Sequence, residues 1–211
     1  MPEEFQNLHI SQHPLIQDKL CDLRQKSTPH FRFKQLLEEI SQFLFYEASK
    51  TLSTRKVTIE TPLENMEGEQ LTREILLVPI LRAGLGMVNG ITQLWEGSRV
   101  GMLGMYRDHD TLQPVDYYLR LPENLEPFTV FLLDPMLATG GSAVSAITRL
   151  KERGARELMM LSLICAPEGV RAVSEHYPEV PIYAAALDRQ LNEKGYILPG
   201  LGDAGDRYFG V

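Results

Sequence analysis

Two apolar segments of this chain end in turns whose residue types suit phosphate chemistry. In the first, Thr129–Leu133 closes on Asp134, and Pro135, Met136, Leu137, Ala138, Thr139, Gly140, Gly141 and Ser142 lead into a helical stretch over Ser142–Arg153. Adjacent glycines let backbone amides curl around an anion, and a helix N-terminus adds its partial positive charge. Thr139 and Ser142 bring hydroxyl donors. The turn carries no lysine, so it is not the P-loop pattern G-x-x-x-x-G-K-[ST]. Asp134 would repel a phosphate, and it makes better sense accepting hydrogen bonds from sugar hydroxyls. The plainer account is an N-cap serine after a glycine turn, with Asp134 as a solvated strand end. The acid-terminated strand and the well-marked helix favour phosphate: Arg149, Lys151 and Arg153 lie in the last turn and Gly154 closes it.

The second turn is Arg82-Ala-Gly84-Leu-Gly86, fed by the apolar run Ile75–Leu81. A guanidinium at a strand end suits bidentate capture of a polyphosphate, the alternative being a surface arginine. Gly84-x-Gly86-x-x-x-Gly90 approximates a dinucleotide fingerprint, with Asp108 or Asp110 placed for a ribose, but Arg82 and Ala83 intervene between strand and glycines. Next, Gly104–Arg120 has apolar ends, a polar middle and Pro114, which reads as a hairpin with a long mobile tip. Arg107 stands at its strand end, and His109 and Asp110 read as ordinary surface.

Near the C-terminus, Gly200-x-Gly202-x-x-Gly205 fits the dinucleotide pattern letter for letter. It is rejected because no helix is expected after it and no acid can lie about twenty residues further on. Three glycines beside Asp203 and Asp206 instead imply exposed backbone groups approaching a small planar ligand, or a glycine-rich loop without function. Tyr196 and Met136 read either as packing on its faces or as ordinary core.

These turns need a scaffold. Phe33, Leu36, Leu37, Ile40, Phe43 and Leu44 recur at helical steps, predicting an amphipathic helix over ~31–52. Arg55–Pro62 alternates like a half-buried strand, with Val57 and Ile59 on one face. From Glu74 onward, apolar runs at Ile75–Leu81, Val100–Tyr106, Thr129–Leu133, Leu158–Ala166 and Ile182–Leu187 alternate with helical stretches at Leu85–Leu94, Ser142–Arg153 and Pro167–His176. That grammar predicts an α/β domain with parallel strands and crossover helices, whose ligands sit beyond the strand C-termini.

With 211 residues the chain fits one domain, and 44% apolar with 23% charged residues is globular composition, excluding disorder and coiled coil. A net charge of −7 argues against general nucleic-acid binding, which draws its affinity from neutralised phosphates. Two cysteines, Cys21 and Cys165, are too few for a disulfide framework or zinc cluster, suit a reducing compartment, and both read as packing. His9, His13, His30 and His176 lack partners at ligand spacing. The N-terminus lacks the basic start and apolar stretch of a signal peptide, and no run approaches the ~20 residues of a membrane helix. The expectation is a soluble, cytoplasmic domain without a membrane partner.

The Asp134–Ser142 segment resembles the ribose-phosphate motif of the type I phosphoribosyltransferases. Pro135 stands where most of that family has a second acid, and this departure is similar to the uracil phosphoribosyltransferase branch. Pro79-Ile-Leu-Arg82-Ala-Gly84 resembles that branch's diphosphate loop, and Gly195-Tyr-Ile197-Leu-Pro199-Gly-Leu-Gly202-Asp203-Ala204-Gly-Asp-Arg207 resembles its uracil-binding signature. The resemblance implies a type I phosphoribosyltransferase fold, a mostly parallel central sheet flanked by helices. It makes 1–211 one domain with an N-terminal helical part at 1–52, a hairpin flap at 104–121 and a uracil-binding segment at 188–211. It also implies transfer of the phosphoribosyl group of 5-phosphoribosyl 1-diphosphate to uracil, giving UMP and diphosphate. Residues 134–142 with Arg82, Arg107 and Asp203 would bind the phosphoribosyl substrate, and Ile197, Gly202, Asp203 and Ala204 would bind uracil. Asp203 and Arg107 are then the catalytic candidates. Mg2+ would be held through substrate oxygens and water, with no direct protein ligand. Homodimers or larger assemblies and activation by GTP are implied as well. An RNA-binding pyrimidine regulator on the same fold is the second class, opposed by the charge of −7 and the lack of a basic face.

Overall fold

A computed structural model describes residues 5–107 and 114–211, with side chains for all of these except 105–107 and 114–117. A short strand, β1 (Leu8–Ile10), leads into helix α1 (Pro14–Arg24). The helix starts on proline, whose missing N–H costs nothing there, and His13 caps it by accepting from the Leu15 N–H at 3.2 Å. Helix α2 (His30–Ser49) buries Phe33, Leu36, Leu37, Ile40 and Leu44 along one stripe, with Phe43 half-buried.

Strands β2 (Thr54–Glu60) and β3 (Asn65–Leu71) form a separate antiparallel ribbon. The sequence predicts a half-buried strand here, and that is corrected: Ile59 is 40% exposed and most of β2 faces solvent. The ribbon pairs with no strand of the main sheet, so its alternation finds little to pack against.

The remaining elements are β4 (Glu74–Leu81), α3 (Leu85–Leu94), β5 (Arg99–Val100), β6 (Met102–Arg107), β7 (Pro114–Arg120), β8 (Phe128–Leu133), β9 (Met136–Leu137), α4 (Gly141–Glu152), β10 (Glu157–Cys165), α5 (Pro167–His176), β11 (Ile182–Leu187), β12 (Gln190–Leu191), β13 (Ile197–Leu198) and α6 (Ala204–Phe209). The main sheet runs β1-β11-β10-β8-β4-β6-β7, parallel throughout except for the β6–β7 hairpin at its edge. Successive residues of the central strands feed opposite layers. Leu77, Phe131 and Leu133 pack with α1, α2 and α3, whereas Leu76, Val130 and Leu132 pack with α4 and α5. Coverage of both faces is why these strands read as unbroken apolar runs. Each such fully buried leucine or phenylalanine contributes about 1.5–3 kcal/mol.

Cys21 corrects the sequence reading: it is exposed, because α1 buries the Ile16, Leu20 and Leu23 stripe and position 21 falls off it. Cys165 is buried at the end of β10, and that burial pushes its thiol up, away from reactivity. No helix among the described residues is long and apolar enough to cross a membrane.

Candidate active site

Parallel alignment places the C-terminal ends of β4, β6, β8 and β11 along one edge of the sheet. Arg82, Arg107, Asp134 and Asp188 follow or close those strands. After β8, the chain passes Asp134, adds β9 beside β10, and turns through Ala138, Thr139 and Gly140 into α4. Gly140 adopts φ +83°, and a Cβ on it would stand 2.7 Å from Ala172 Cβ and 2.9 Å from the Gly169 carbonyl oxygen. Gly169 is equally tight against the Ala138 carbonyl. The turn is therefore pressed onto the start of α5, and only glycine allows that approach.

The helix begins at Gly141, and Gly140 at its N-cap supplies no side-chain cap. Ser142 is thus inside the helix, which removes the plain N-cap reading. First-turn amides of such a helix need an outside partner. A cavity of about 90 Å³ lies there, lined among others by Asp134, Ala138, Thr139, Gly140 and Ser142.

Asp134 is half-buried, and its Oδ1 accepts from the Met136 N–H at 3.3 Å. The Ser162 hydroxyl donates to the Asp134 backbone carbonyl at 2.6 Å and fixes the strand end. Burial pushes the Asp134 carboxyl up to about 7, only partly offset by the Met136 N–H. Donors from a sugar would supply what the protein withholds from the charged form.

Arg82 follows β4 across a cis Leu81–Arg82 peptide. Its Nη2 lies 3.2 Å from Asp206 Oδ1, and its guanidinium sits 6.0 Å from the Phe209 ring centroid. Both contacts belong to α6, a helix the sequence reading denied. The correction has local causes: Asp203 Oδ1 caps the helix by accepting from the Asp206 N–H at 2.9 Å, and Gly210 at φ +76° closes it. Tyr208 anchors α6 by donating to Glu38 Oε1 and accepting from Asn89 Nδ2, each at 2.8 Å. Burial and the Glu38 carboxylate push its phenol up to about 12.

The glycine segment is fixed at several points. Ile197 and Ala204 are buried, whereas Gly202, at φ +83°, and Asp203 are exposed. Arg207 donates to the carbonyls of Leu201 and Gln25 at 2.7 Å each and lies over Phe33 at 4.3 Å. The Gly195 turn approaches the phosphate turn, since a Cβ on Gly195 would meet Thr139 Cγ2 at 3.9 Å. Tyr196 is 49% exposed, and Met136 is partly buried against the core.

Arg107 ends β6 opposite Pro114 in the β6–β7 hairpin, and its side chain lies outside the described residues, as do Asp108, His109, Asp110 and the expected mobile tip. Sequence reasoning missed Asp206 as the partner of Arg82. It also missed Asp188, which follows an apolar strand as Asp134 does and carried the same signal. Among the described residues no three of His, Cys, Asp and Glu converge as a metal-binding group.

A mostly parallel sheet whose central strand ends in an acid and a glycine turn opening a helix fits the type I phosphoribosyltransferase fold that the sequence resembles. A solved structure of a protein from Aquifex aeolicus superimposes with a TM-score of 0.91 at 38% identity, covering 97% of this chain and 98% of that one. A hypoxanthine phosphoribosyltransferase from Staphylococcus aureus shares the fold alone, with TM-score 0.53, 13% identity and coverage of 75% and 76%. The model of the uracil phosphoribosyltransferase family matches residues 10–211. Proteins named uracil phosphoribosyltransferase are similar along nearly the whole chain. The one from Roseiflexus castenholzii is 55% identical, covering 98% of this chain and 100% of its own length. The one from Streptococcus mutans is 52% identical, covering 96% and 97%. The chain belongs to the uracil phosphoribosyltransferase family.

Proposed function

We propose that the turn after β8, Arg82 and the Ile197–Ala204 segment divide the work of a uracil phosphoribosyltransferase among them. The reaction joins uracil to the phosphoribosyl group of 5-phosphoribosyl 1-diphosphate, giving UMP and diphosphate. As the C1–O bond to diphosphate breaks, the sugar ring gains oxocarbenium character; N1 of uracil forms the new bond to C1 and loses its proton. The Thr139–Ser142 turn anchors the 5-phosphate, so binding energy remote from C1 orients the reacting carbon. Asp134 holds the ribose hydroxyls, flanked by Pro135, Met136, Leu137 and Ala138. Arg82 and Arg107 neutralise charge building on the diphosphate.

Backbone groups of Ile197, Gly202 and Ala204 read the base edge. Uracil offers an acceptor at O4 and a donor at N3, and cytosine inverts both. Fixed backbone partners would be left unpaired by cytosine, which sites of this kind reject by ~10⁴ or more. Magnesium, when bound, neutralises diphosphate oxygens as a Lewis acid. It would be held chiefly through substrate oxygens and water, with Asp203 serving it or the N1 proton.

The observation that carries this reading is the approach of the Gly195 turn to Thr139, which brings base segment and phosphate turn together. The test is conversion of labelled uracil to UMP, run beside cytosine, hypoxanthine and orotate. Turnover of uracil alone is expected. Turnover of another base would overturn the base segment's role, and none with any base, with or without GTP, would overturn the enzymatic reading. Homo-oligomeric assembly, a cytoplasmic location and GTP activation are part of the proposal, supported by the resemblance. Solution mass, cell fractionation and rates with and without GTP test them in turn.

A further inference from the structure

Gly200 is the middle of the turn that carries the base-reading groups, and both of its backbone polar groups end on one ion pair. Its N–H donates to Asp188 Oδ2 at 2.9 Å, and its carbonyl accepts from Arg24 Nη1 at 2.7 Å. The pair itself is bidentate, with Arg24 Nη2 to Asp188 Oδ1 at 2.6 Å and Nη1 to Oδ2 at 2.8 Å. Asp188 follows β11 with its side chain 5% exposed, and Arg24 lies in the last turn of α1, 22% exposed. Gly200 itself sits at φ +69°, where a Cβ would fall 2.2 Å from the Ile197 carbonyl oxygen. A planar guanidinium and a planar carboxylate thus clamp both sides of a turn that accepts no side chain at Gly200.

Taking such a pair out of water offsets most of its mutual attraction, so it is weak evidence for stability. Its geometry is evidence for position. We propose that Arg24 and Asp188 are positioning residues for uracil, holding Ile197 and Gly202–Ala204 where their backbone groups meet the base edge. This rests on the reading of that segment as the base site. Neither side chain belongs to the phosphate turn or to the Arg82 loop, so the effect falls chiefly on the base.

The test is steady-state kinetics of Arg24→Lys and Asp188→Asn, varying each substrate separately, with melting temperatures recorded. Lysine keeps the charge but cannot hold Asp188 and the Gly200 carbonyl in one plane. Asparagine keeps the shape and loses the charge. Loss of a charged hydrogen bond at this clamp is expected to raise KM for uracil about tenfold in each variant. KM for phosphoribosyl diphosphate should stay within about twofold, and the rate with cytosine relative to uracil should rise. A merely structural pair would lower the active fraction and leave both KM values alone. That result in a folded variant, or an equal rise in both KM values, overturns the proposal. If Asp188→Asn fails to fold, Arg24→Lys, which keeps a cation at the rim, decides. UMP-induced hydrogen-exchange protection of 197–204 in the unaltered protein separates the two layers. Protection with unmoved KM values sinks only the positioning role, and absence of protection sinks the base reading beneath it.

Discussion

Arg82 Nη2 and Asp206 Oδ1, 3.2 Å apart, join the turn after β4 to the C-terminal helix α6. The two side chains are 61% and 49% exposed, and an ion pair so open to water adds no more than about 1 kcal/mol. The pair is therefore poor evidence for a stabilising role and leaves Arg82 accessible to a larger anion. Arg82→Ala is expected to leave the melting temperature nearly unchanged and to lower kcat/KM about 10²–10³-fold. Near-normal kcat/KM would remove Arg82 from the diphosphate site.

Adjacent glycines in the phosphate turn do different jobs. A Cβ at Gly140 meets Ala172 and the Gly169 carbonyl at a positive φ, whereas one at Gly141 meets only Thr139 Oγ1 at 4.0 Å. Gly140→Val should therefore lose binding of phosphoribosyl diphosphate together with about 1–3 kcal/mol or more of stability. Gly141→Ala should keep its melting temperature and weaken binding alone, because its methyl enters open space beside the hydroxyl of the cradle. Calorimetric titration beside thermal melts separates the two. Equal losses of stability in both variants would contradict the assignment.

The parts of this fold that were legible in the sequence are those buried on both sides. Leu85–Leu94, Pro167–His176 and Ile182–Leu187 match their elements end for end, because a crossover helix and a double-covered strand each leave a full apolar pattern. The β2–β3 ribbon was half legible: Val57 and Ile59 alternate, but Asn65–Leu71 reads as polar chain because neither face is covered. Helix α6 was hidden by Gly200, Gly202 and Gly205, whose spacing speaks of loop, while its cap, Asp203, looked like a ligand. The candidate site was legible where one strand end carried acid, glycines and hydroxyls together. Arg24 was not, since it is one basic residue at a helix end, about 170 residues from its partners, and only the folded chain brings it to Gly200.

Asp134 gives the site a pH dependence of definite sign. Its folded-state value near 7 stands above the ordinary carboxylate value of ~3.9. Between those values the folded protein binds more protons than the unfolded chain. Its contribution to stability is thus complete below about pH 4 and is lost as pH rises through 7. Substrate binding runs the other way, since ribose hydroxyls donate to the charged form. Asp134→Asn should raise the melting temperature relative to the unaltered protein by more at pH 8 than at pH 5. Its affinity for phosphoribosyl diphosphate should be about tenfold weaker at pH 8, with the gap narrowing toward pH 6. A gap that holds constant across this range would show that the carboxylate does not titrate on binding.

Asp203 combines a structural and a chemical role that one pair of substitutions divides. Its Oδ1 accepts from the Asp206 N–H at the start of α6, and its exposed carboxylate belongs to the proposed reaction site. Asparagine caps helices about as well as aspartate, so Asp203→Asn should keep α6 and the melting temperature. Asp203→Ala should cost about 1 kcal/mol, the usual loss of a cap. If the carboxylate orients metal-bound water or takes the N1 proton, both variants lose kcat by about 10²-fold or more while KM for uracil moves little. If it serves only as the cap, Asp203→Asn turns over normally and only Asp203→Ala falls. Single-turnover rates read the chemical step directly, so slow product release cannot hide the difference.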